Sequence, residues 1–454
     1  MAELKDRIDF GREDVRVLFN KVFYPTLLGM VFSIVFNITD GIFVGRGIGS
    51  LALAAVNVVA PVFMISGGIS LMLGMGGSVV ASIHLSKDNL RTARMVATQS
   101  VGAAVVSMAV FAAVLLLFPT PILRFFGCSD TMMGYAADYL KVFAPFAVVN
   151  GIILSSCFFI RLDGAPKYAM AANIIGALLN IFLDWLFIFP FQWGLHGAAL
   201  ATGIAMSIES VVLLVYMFHP KHKLHFARVK VSTLRAWMHT LRNCGYMCKL
   251  GFSTMLAQLA VALMVICGNN IFVRISGDSG VAAFSVVCYL SPIVFMVYDA
   301  IAVAAQPIQS YNYGAGSLDR SWKALKLALV TGIGYGAVVV LMTTVFARPV
   351  ASLFIEASDP AHDLAVEGMR LFSIGFIPMA ISIVTMGFFQ SVEKVRQATV
   401  ISTLRGFVLM LLCFFGMTLL WGEVGAWLAI PASETLTMCV TLALLVSYRR
   451  SVKF

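Results

Sequence analysis

The sequence predicts an all-α integral membrane protein with twelve transmembrane helices. Hydrophobic residues make up 60% of the 454 residues and charged residues only 12%, and the mean hydropathy is +0.92, so most of the chain cannot form a water-exposed surface. Apolar segments near the roughly 20 residues needed to cross a bilayer recur along the whole chain. The predicted spans are residues 18–45, 52–83, 92–118, 133–160, 168–189, 195–218, 243–273, 281–311, 322–347, 364–390, 397–420 and 426–448.

Basic residues are concentrated in alternate connections between these spans. When each Lys and Arg is assigned to the nearest span end, 26 of the 32 fall at the termini and at the connections after even-numbered spans, and 6 fall at the connections after odd-numbered spans. Because basic residues beside a span stay on the cytoplasmic side, we expect both termini in the cytoplasm. The net charge of +10 then faces anionic lipid and the cytosol, so membrane lipids are expected partners and nucleic acid is not.

The two halves of the chain resemble each other. Trp193–Ala201 recurs as Trp421–Ala429, and Ala54–Val59 recurs as Ala282–Val287 at the same offset along the chain. This repeat predicts duplication of a six-helix unit. Because six is even, the two units share one topology and are related by a pseudo-two-fold axis along the membrane normal, around a central cavity.

The longest connection divides the two repeats. We predict an N-terminal six-helix lobe over residues 1–218, a cytoplasmic basic linker over 219–242 and a C-terminal six-helix lobe over 243–454. The eight Cys residues lie mostly in apolar segments and predict no disulfide framework. The seven His residues lack metal-ligand spacing, and no nucleophile–base pair or phosphate loop appears, which disfavours an enzyme or a cofactor-bearing protein.

The first span contains an acidic residue, Asp40. An ionised side chain in hydrocarbon is costly unless another group compensates it, so such a residue is a candidate functional site. Ser33, Asn37 and Asp40 are spaced four and three residues apart and therefore share one face of a helix. We expect this face to contact protein or water, with Asn37 extending a polar path from the acid.

The fifth and sixth spans supply polar neighbours at a matching depth. Asn180 and Asp184 lie on one stripe of the fifth span, and Thr202 lies in the sixth. Counted from the outer ends of their spans, Asp40, Asp184 and Thr202 are each six residues inside, about 9 Å at 1.5 Å per residue. Two neighbouring carboxylates cannot both ionise cheaply, so they share a proton or a small cation neutralises them. The alternative is a purely structural role, in which these side chains hydrogen-bond to neighbouring backbone groups and bind no ion.

Other polar and soft side chains within the spans are weaker candidates. Glu209 lies closer to the cytoplasmic end and can snorkel. Pro25 removes a helical hydrogen bond near the start of the first span and can let it bend, although a proline in a first turn is also ordinary. The predicted substrate-cavity residues are Met30, Asn57, Met206, Gln258 and Asp299; packing or lipid contact is the alternative for the methionines.

Several short motifs stand at the ends and in the middle of the spans: Asp40–Gly41 and Val44–Arg46 closing the first, Leu53–Ala55 opening the second, Asn180–Asp184 in the fifth, and Gln306–Ile308 with Tyr311–Ala315 closing the eighth. On these motifs the chain resembles the multidrug and toxic compound extrusion (MATE) transporters of the multidrug/oligosaccharidyl-lipid/polysaccharide flippase superfamily. The similarity covers essentially the whole chain.

The resemblance implies a cation site in the N-terminal lobe. Its positions match Asp40, Asn180, Asp184 and Thr202, which would bind H⁺ or Na⁺, with the carbonyl of Ala198 as a further ligand. Pro25 matches the proline at which the first helix is proposed to bend in some members. Another branch of the family uses acids in the seventh and tenth spans, where this chain has Gln258 and no central acid.

These observations predict a secondary antiporter that exports cationic or amphipathic organic compounds in exchange for H⁺ or Na⁺. The expected setting is a bacterial-type inner membrane, the expected partner a small organic substrate, and the expected state a monomer without cofactor. The first alternative is a lipid-linked saccharide flippase, which requires basic groups in the cavity to hold pyrophosphate; Arg405 is the deepest one. A membrane enzyme or scaffold is the alternative from another class.

Overall fold

The computed structural model describes residues 8–126, 128, 130–227, 234–352, 355 and 358–452, and all regular secondary structure within them is helical. The helices are α1 (Val15–Gly47), α2 (Ser50–Ser86), α3 (Leu90–Leu117), α4 (Pro119–Phe125), α5 (Asp130–Phe143), α6 (Ala147–Leu162), α7 (Pro166–Ile188), α8 (Gly194–Phe218), α9 (Leu234–Gly314), α10 (Leu318–Val345), α11 (Ala347–Ser352), α12 (Pro360–Ser373), α13 (Phe376–Ser391), α14 (Val395–Thr403) and α15 (Leu409–Ser451). A 3₁₀ turn joins α5 to α6, and a π-helical turn, Leu404–Val408, joins α14 to α15.

Twelve spans can be counted along these helices. Ten helical stretches of the described chain are long and apolar enough to cross a membrane, and α12 with α13 form an eleventh, bent by 44°. The stretch Val395–Ser451 contains 57 residues, about 85 Å of helix and more than twice the hydrocarbon thickness. It is interrupted at Gly422, with φ 57°, and therefore supplies two spans. The predicted all-α fold with twelve membrane helices is confirmed.

The internal repeat is visible in the backbone of the turns. Gly49 and Gly277 are separated by the offset of the sequence repeat, and both have positive φ, at 130° and 60°. Gly194 and Gly422 are separated by the same offset, and both have φ 57°. A positive φ strongly favours glycine because it has no Cβ. Glycines with positive φ thus stand at corresponding positions in the two halves of the chain.

The chain forms two compact units, Met1–Met255 and Leu256–Phe454. The boundary lies inside α9, because the first turns of that helix pack on α2 and α3. A Cβ atom at Gly251 would overlap the carbonyl oxygen of Met72, and Asn243 Nδ2 donates to Gln99 Oε1 at 3.2 Å. The division at 219–242 stays a prediction, and residues 228–233 of that linker lie outside the described part of the chain.

An apolar layer in the first unit lies just outside the predicted ion site. Val44, Ile188 and Ala198 are 1–3% exposed and belong to one packed cluster. Val44 follows Asp40 by one turn, Ile188 follows Asp184 by one turn, and Ala198 precedes Thr202 by one turn. The helices therefore place a sealed hydrophobic layer directly beyond the polar residues.

Candidate functional site

The close packing of α1 on α7 positions the two acidic residues. A Cβ atom at Gly29 would lie 3.1 Å from Asn173 Nδ2, and one at Gly47 would overlap the side chain of Ile188. These glycines stand on either side of Asp40 along α1. Because they carry no side chain, the two helices approach closely enough for the carboxyl groups of Asp40 and Asp184 to meet.

The two carboxyl groups are close enough to interact electrostatically with each other. Asp184 is fully buried, whereas Asp40 is half-buried. The buried atoms Asp40 Oδ1, Asp184 Oδ1 and Asp184 Oδ2 have no hydrogen-bond donor within the described chain, and neither has Asn180 Oδ1. Buried oxygen atoms without donors are costly. A proton or a small cation among these four oxygens would satisfy them.

Asn180 and Thr202 complete this group from α7 and α8. Asn180 Nδ2 donates to Thr202 Oγ1 at 3.2 Å, and both side chains are buried, at 2% and 7% exposure. Asn180 also interacts electrostatically with the carboxyl group of Asp184. Ala198 lies one turn outward from Thr202. The structure thus brings together the four side chains that the sequence and the family resemblance single out.

Tyr139 is a neighbour that sequence reasoning missed. It lies in α5, is 3% exposed and interacts electrostatically with both Asp40 and Asp184. A tyrosine combines an apolar ring with a polar hydroxyl, so it can pack in the apolar layer while its polar end faces the acids. Its local sequence gave no signal for this role, because Asp138 and Lys141 beside it make α5 a polar stretch in its own right.

Asn37 does not join the site. Its side chain is exposed, and Asn37 Nδ2 donates to the carbonyl oxygen of Ser33 at 2.6 Å, one turn back in its own helix. Ser33 Oγ likewise donates to the carbonyl oxygen of Gly29 at 3.1 Å. The expected polar path from Asp40 along this face is therefore not formed, because both side chains are bound to the backbone of α1.

Pro25 lies further along its helix than expected, and Glu209 lies between helices. α1 begins at Val15, so Pro25 lies buried in the third turn rather than the first; it leaves the carbonyl of Lys21 without its usual amide partner. The Glu209 carboxylate packs against α7, where a Cβ at Gly176 would overlap it. Glu209 therefore points into the helix bundle instead of snorkelling.

The predicted substrate residues do not form one group within either unit. In the first unit, Met206 packs against the apolar cluster, Met30 is half-buried and Asn57 is exposed. In the second, Gln258 and Asp299 are half-buried, and Asp299 has an interaction of its own. Their assignment to a substrate cavity stays a prediction.

The oxygen set of the site suits a proton or another hard cation. Among the described residues, no group of three or more His, Cys, Asp or Glu is arranged to hold a metal ion. Two carboxyl groups, an amide and a hydroxyl are oxygen ligands, which favour protons and hard cations over transition metals.

Twelve membrane helices with a buried pair of acids are typical of membrane transporters. The MatE family model matches residues 25–186 and again residues 253–415. The starts of the two matches are separated by the offset of the internal repeat. Together they cover well over half of the chain. The chain belongs to the MatE family, whose members are membrane transporters, and it is therefore a transporter rather than an enzyme.

Curated relatives match over nearly the whole length. The chain is 24% identical to the multidrug export protein MepA of Staphylococcus saprophyticus, over 93% of this chain and 91% of the relative. It is 23% identical to MepA of Staphylococcus aureus strain NCTC 8325, with the same two coverages.

Solved structures of superfamily members share the fold. A MOP superfamily transporter from Pyrococcus furiosus aligns with a TM-score of 0.89 and 22% identity, covering 97% of each chain. An outward-facing multidrug resistance MATE family transporter aligns with a TM-score of 0.89 and 21% identity, covering 98% of each chain.

Proposed function

We propose that this transporter is a secondary antiporter that exports cationic or amphipathic organic compounds in exchange for H⁺ or Na⁺. The relatives named multidrug export proteins support the export of varied organic compounds. One structural observation carries the coupling role: four buried oxygen atoms of Asp40, Asn180 and Asp184 lie close together without a donor. An inward-moving cation is the ligand that this arrangement accepts.

The two acids have different access to the surroundings. Asp184 is sealed, with the apolar layer of Val44 and Ile188 directly beyond it, whereas Asp40 is half-buried. We infer that the cation arrives at Asp40 and is then shared with Asp184 and Asn180. Before it arrives, the adjoining carboxyl groups repel each other; once it has bound, α1 and α7 are held together.

Coupling requires the cation to bind one conformation better than the other, since a ligand with equal affinity for both shifts nothing. In the proposed mechanism the cation stabilises the state with α1 packed on α7, and this state releases the organic substrate outward. Pro25 lies on the inner part of α1, where a missing backbone hydrogen bond makes bending less costly.

The flippase alternative loses its main candidate residue. A pyrophosphate-binding cavity needs free basic groups, but the guanidinium of Arg405 is paired with Glu434, with Nε and Oε1 2.7 Å apart. This pairing favours the antiporter over lipid-linked saccharide transport.

The membrane setting is part of the same proposal. Along α3, Val106, Val110 and Leu117 are each at least 60% exposed, and their spacing puts them on one face of the helix, as expected for contact with lipid. We propose a bacterial-type plasma membrane, both termini in the cytoplasm and a monomer as the working unit.

Transport in proteoliposomes under separately imposed proton and sodium gradients tests the proposal. With an organic cation such as ethidium as probe, we expect one of the two gradients to drive its accumulation. Asp40→Asn should abolish the gradient-driven part of transport while leaving the protein folded and inserted.

A matched control is available in the same unit. Asp138 has a side chain that is 72% exposed, so Asp138→Asn makes the same chemical change away from the site and should leave transport unchanged. Unaltered ion-driven efflux by Asp40→Asn would overturn the coupling role of this site.

A further inference from the structure

The second unit contains a buried ion pair that the coupling mechanism above does not use. Arg405 lies in the π-helical turn, and Glu434 lies in α15 after its break at Gly422. Arg405 Nε and Glu434 Oε1 are 2.7 Å apart, and the two side chains are only 10% and 5% exposed. Buried pairs pay a desolvation cost that often exceeds their Coulombic gain. Such a pair inside a membrane span is therefore a candidate functional site.

The pair is incompletely satisfied. Arg405 contacts the carboxylate through Nε alone, rather than through the two parallel hydrogen bonds that an Arg–carboxylate pair can make. Glu434 Oε2 is buried and has no donor within the described chain, which leaves one lone-pair site of the carboxylate open. On its other side the guanidinium faces the ring of Phe295, 5.5 Å from its centroid.

Both helices that carry the pair are irregular beside it. Arg405 belongs to the π-helical turn Leu404–Val408, and single π turns of this kind occur frequently at functional sites. Pro431, just before Glu434 in the chain, removes a backbone donor from α15. Thus both side chains belong to helical segments that lack regular backbone hydrogen bonding. Because such segments shift more easily, a small local rearrangement can separate the two charges.

Within the described part of the chain, Tyr298 of α9 is a further titratable group that interacts with the pair. It interacts electrostatically with both Glu434 and Arg405, and its hydroxyl donates to the carbonyl oxygen of Phe376 at 2.9 Å. Because this hydroxyl is already committed to the backbone, it does not fill the vacant position on Glu434.

The pair has no counterpart in the first unit. By the offset of the internal repeat, Arg405 and Glu434 correspond to Ala177 and Met206, neither of which is ionisable. The repeat therefore does not account for the pair, and it is separate from the acidic site of the first unit.

We propose that Glu434 is a second proton-binding site, with Arg405 as its internal counter-charge; this rests on the proposed antiport. A hydronium ion transfers its proton to Glu434 Oε2 and leaves a water molecule, so the carboxylate becomes a neutral carboxylic acid and the ion pair with Arg405 is lost. A proton needs only the one open lone pair, whereas a metal cation would add a second positive charge beside the guanidinium. Protonation would loosen the last two spans from each other.

Infrared difference spectroscopy between high and low pH tests this on the purified full-length protein, without a transport assay. Each carboxylate that takes up a proton adds a carboxylic acid C=O band. We expect Glu434→Gln to remove one band that Asp184→Asn leaves in place. Glu209→Gln is the matched control, since it alters another glutamate of a membrane span, and it should leave that band unchanged.

The outcomes separate this inference from the proposed function. If Glu434→Gln gives the wild-type spectrum, Glu434 keeps its charge, and the second proton site is overturned, whatever the transport result for Asp40→Asn. If the Glu434 band is present while Asp40→Asn transports normally, the coupling role of the first unit fails and the second site stands. Should Glu434→Gln not fold, the double variant Arg405→Gln/Glu434→Gln removes both charges together and must show the same lost band.

Discussion

Replacing Asp184 by asparagine should stabilise the protein and at the same time abolish ion coupling. Asp184 and Asp40 present adjoining carboxyl groups, and Asp40 Oδ1 and both Asp184 oxygens lack donors within the described chain. In Asp184→Asn the new amide nitrogen can donate to Asp40 Oδ1, while the side-chain shape is kept. Activity and stability would then change in opposite directions, as expected of a site kept strained for function.

The magnitude follows from the number of unsatisfied atoms. One buried acceptor that gains a donor is worth about 1–3 kcal/mol. With an unfolding entropy of about 2.1 cal/mol/K per residue, the 454 residues give a rise in Tm of about 1–3 °C if the chain melts as one unit. Asp184→Ala provides no donor and leaves a void, so it should lower Tm.

The assay is thermal unfolding in detergent, with sodium absent at high pH so that the wild-type site is empty. Adding the coupling ion should then stabilise the wild type by mass action, by about 2.7 kcal/mol at 100 times its Kd. Asp184→Asn should not respond. A lower Tm for Asp184→Asn than for the wild type in the ion-free state, or an equal response of the two proteins to the ion, would refute the reasoning.

Three further predictions concern other parts of the structure. Gly251→Ala should lower Tm because its Cβ would overlap α2, whereas Gly245→Ala, in the same helix with open space around it, should not; differential scanning fluorimetry compares them. Asn37→Ala should transport at the wild-type rate, since the Asn37 amide hydrogen-bonds to the backbone of its own helix. A tenfold loss of transport rate would show that Asn37 takes part in the site. The hydrogen bond from Lys21 lowers the pKa of Glu13, so the stability that the charged Glu13 side chain contributes is present at neutral pH and is lost as pH falls through that lowered pKa. Because the Glu13 side chain is 24% exposed, Glu13→Gln should lower the free energy of unfolding by less than about 1 kcal/mol at pH 7 and leave it unchanged in acid.

The twelve helices and the central acids can be predicted because the membrane imposes strong rules. Hydropathy sets the number of spans, and counting residues from the outer ends aligns Asp40, Asp184 and Thr202. This count needs only the helical rise and a common boundary, and both hold for neighbouring spans. Asn180 follows because it shares a stripe of α7 with Asp184.

The failures arise where a single helix is considered without its neighbours. Asn37 shares a face with Asp40 in an ideal helix, but α7 contacts only part of that face, so Asn37 remains exposed. Tyr139 cannot be assigned because nothing in its local sequence places α5 beside the two acids. Helical periodicity gives the angle of a residue about its own axis and says nothing about which neighbour lies at that angle.

Arg405 shows the limit of the charge rule for individual residues. The rule counts it among the cytoplasmic charges, because it lies near the start of an apolar span. The structure instead buries it against Glu434 of the next span, a glutamate that the sequence pattern does not single out. The rule is statistical over loops, so a single paired arginine leaves the predicted topology unchanged. For the same reason the rule does not reveal the buried ion pair.

The positions of the two acidic sites bear on how a duplicated protein becomes asymmetric. The repeat is retained in the turns, where Gly194 and Gly422 keep the same φ, because changing a turn would misplace whole spans. The buried charges are not retained: the position that corresponds to Asp40 in the second half is Gly268. A buried charge needs a partner placed within a few ångströms, and that partner comes from another helix. Each half can therefore acquire or lose an ionisable group with its neighbour while the fold stays common to both.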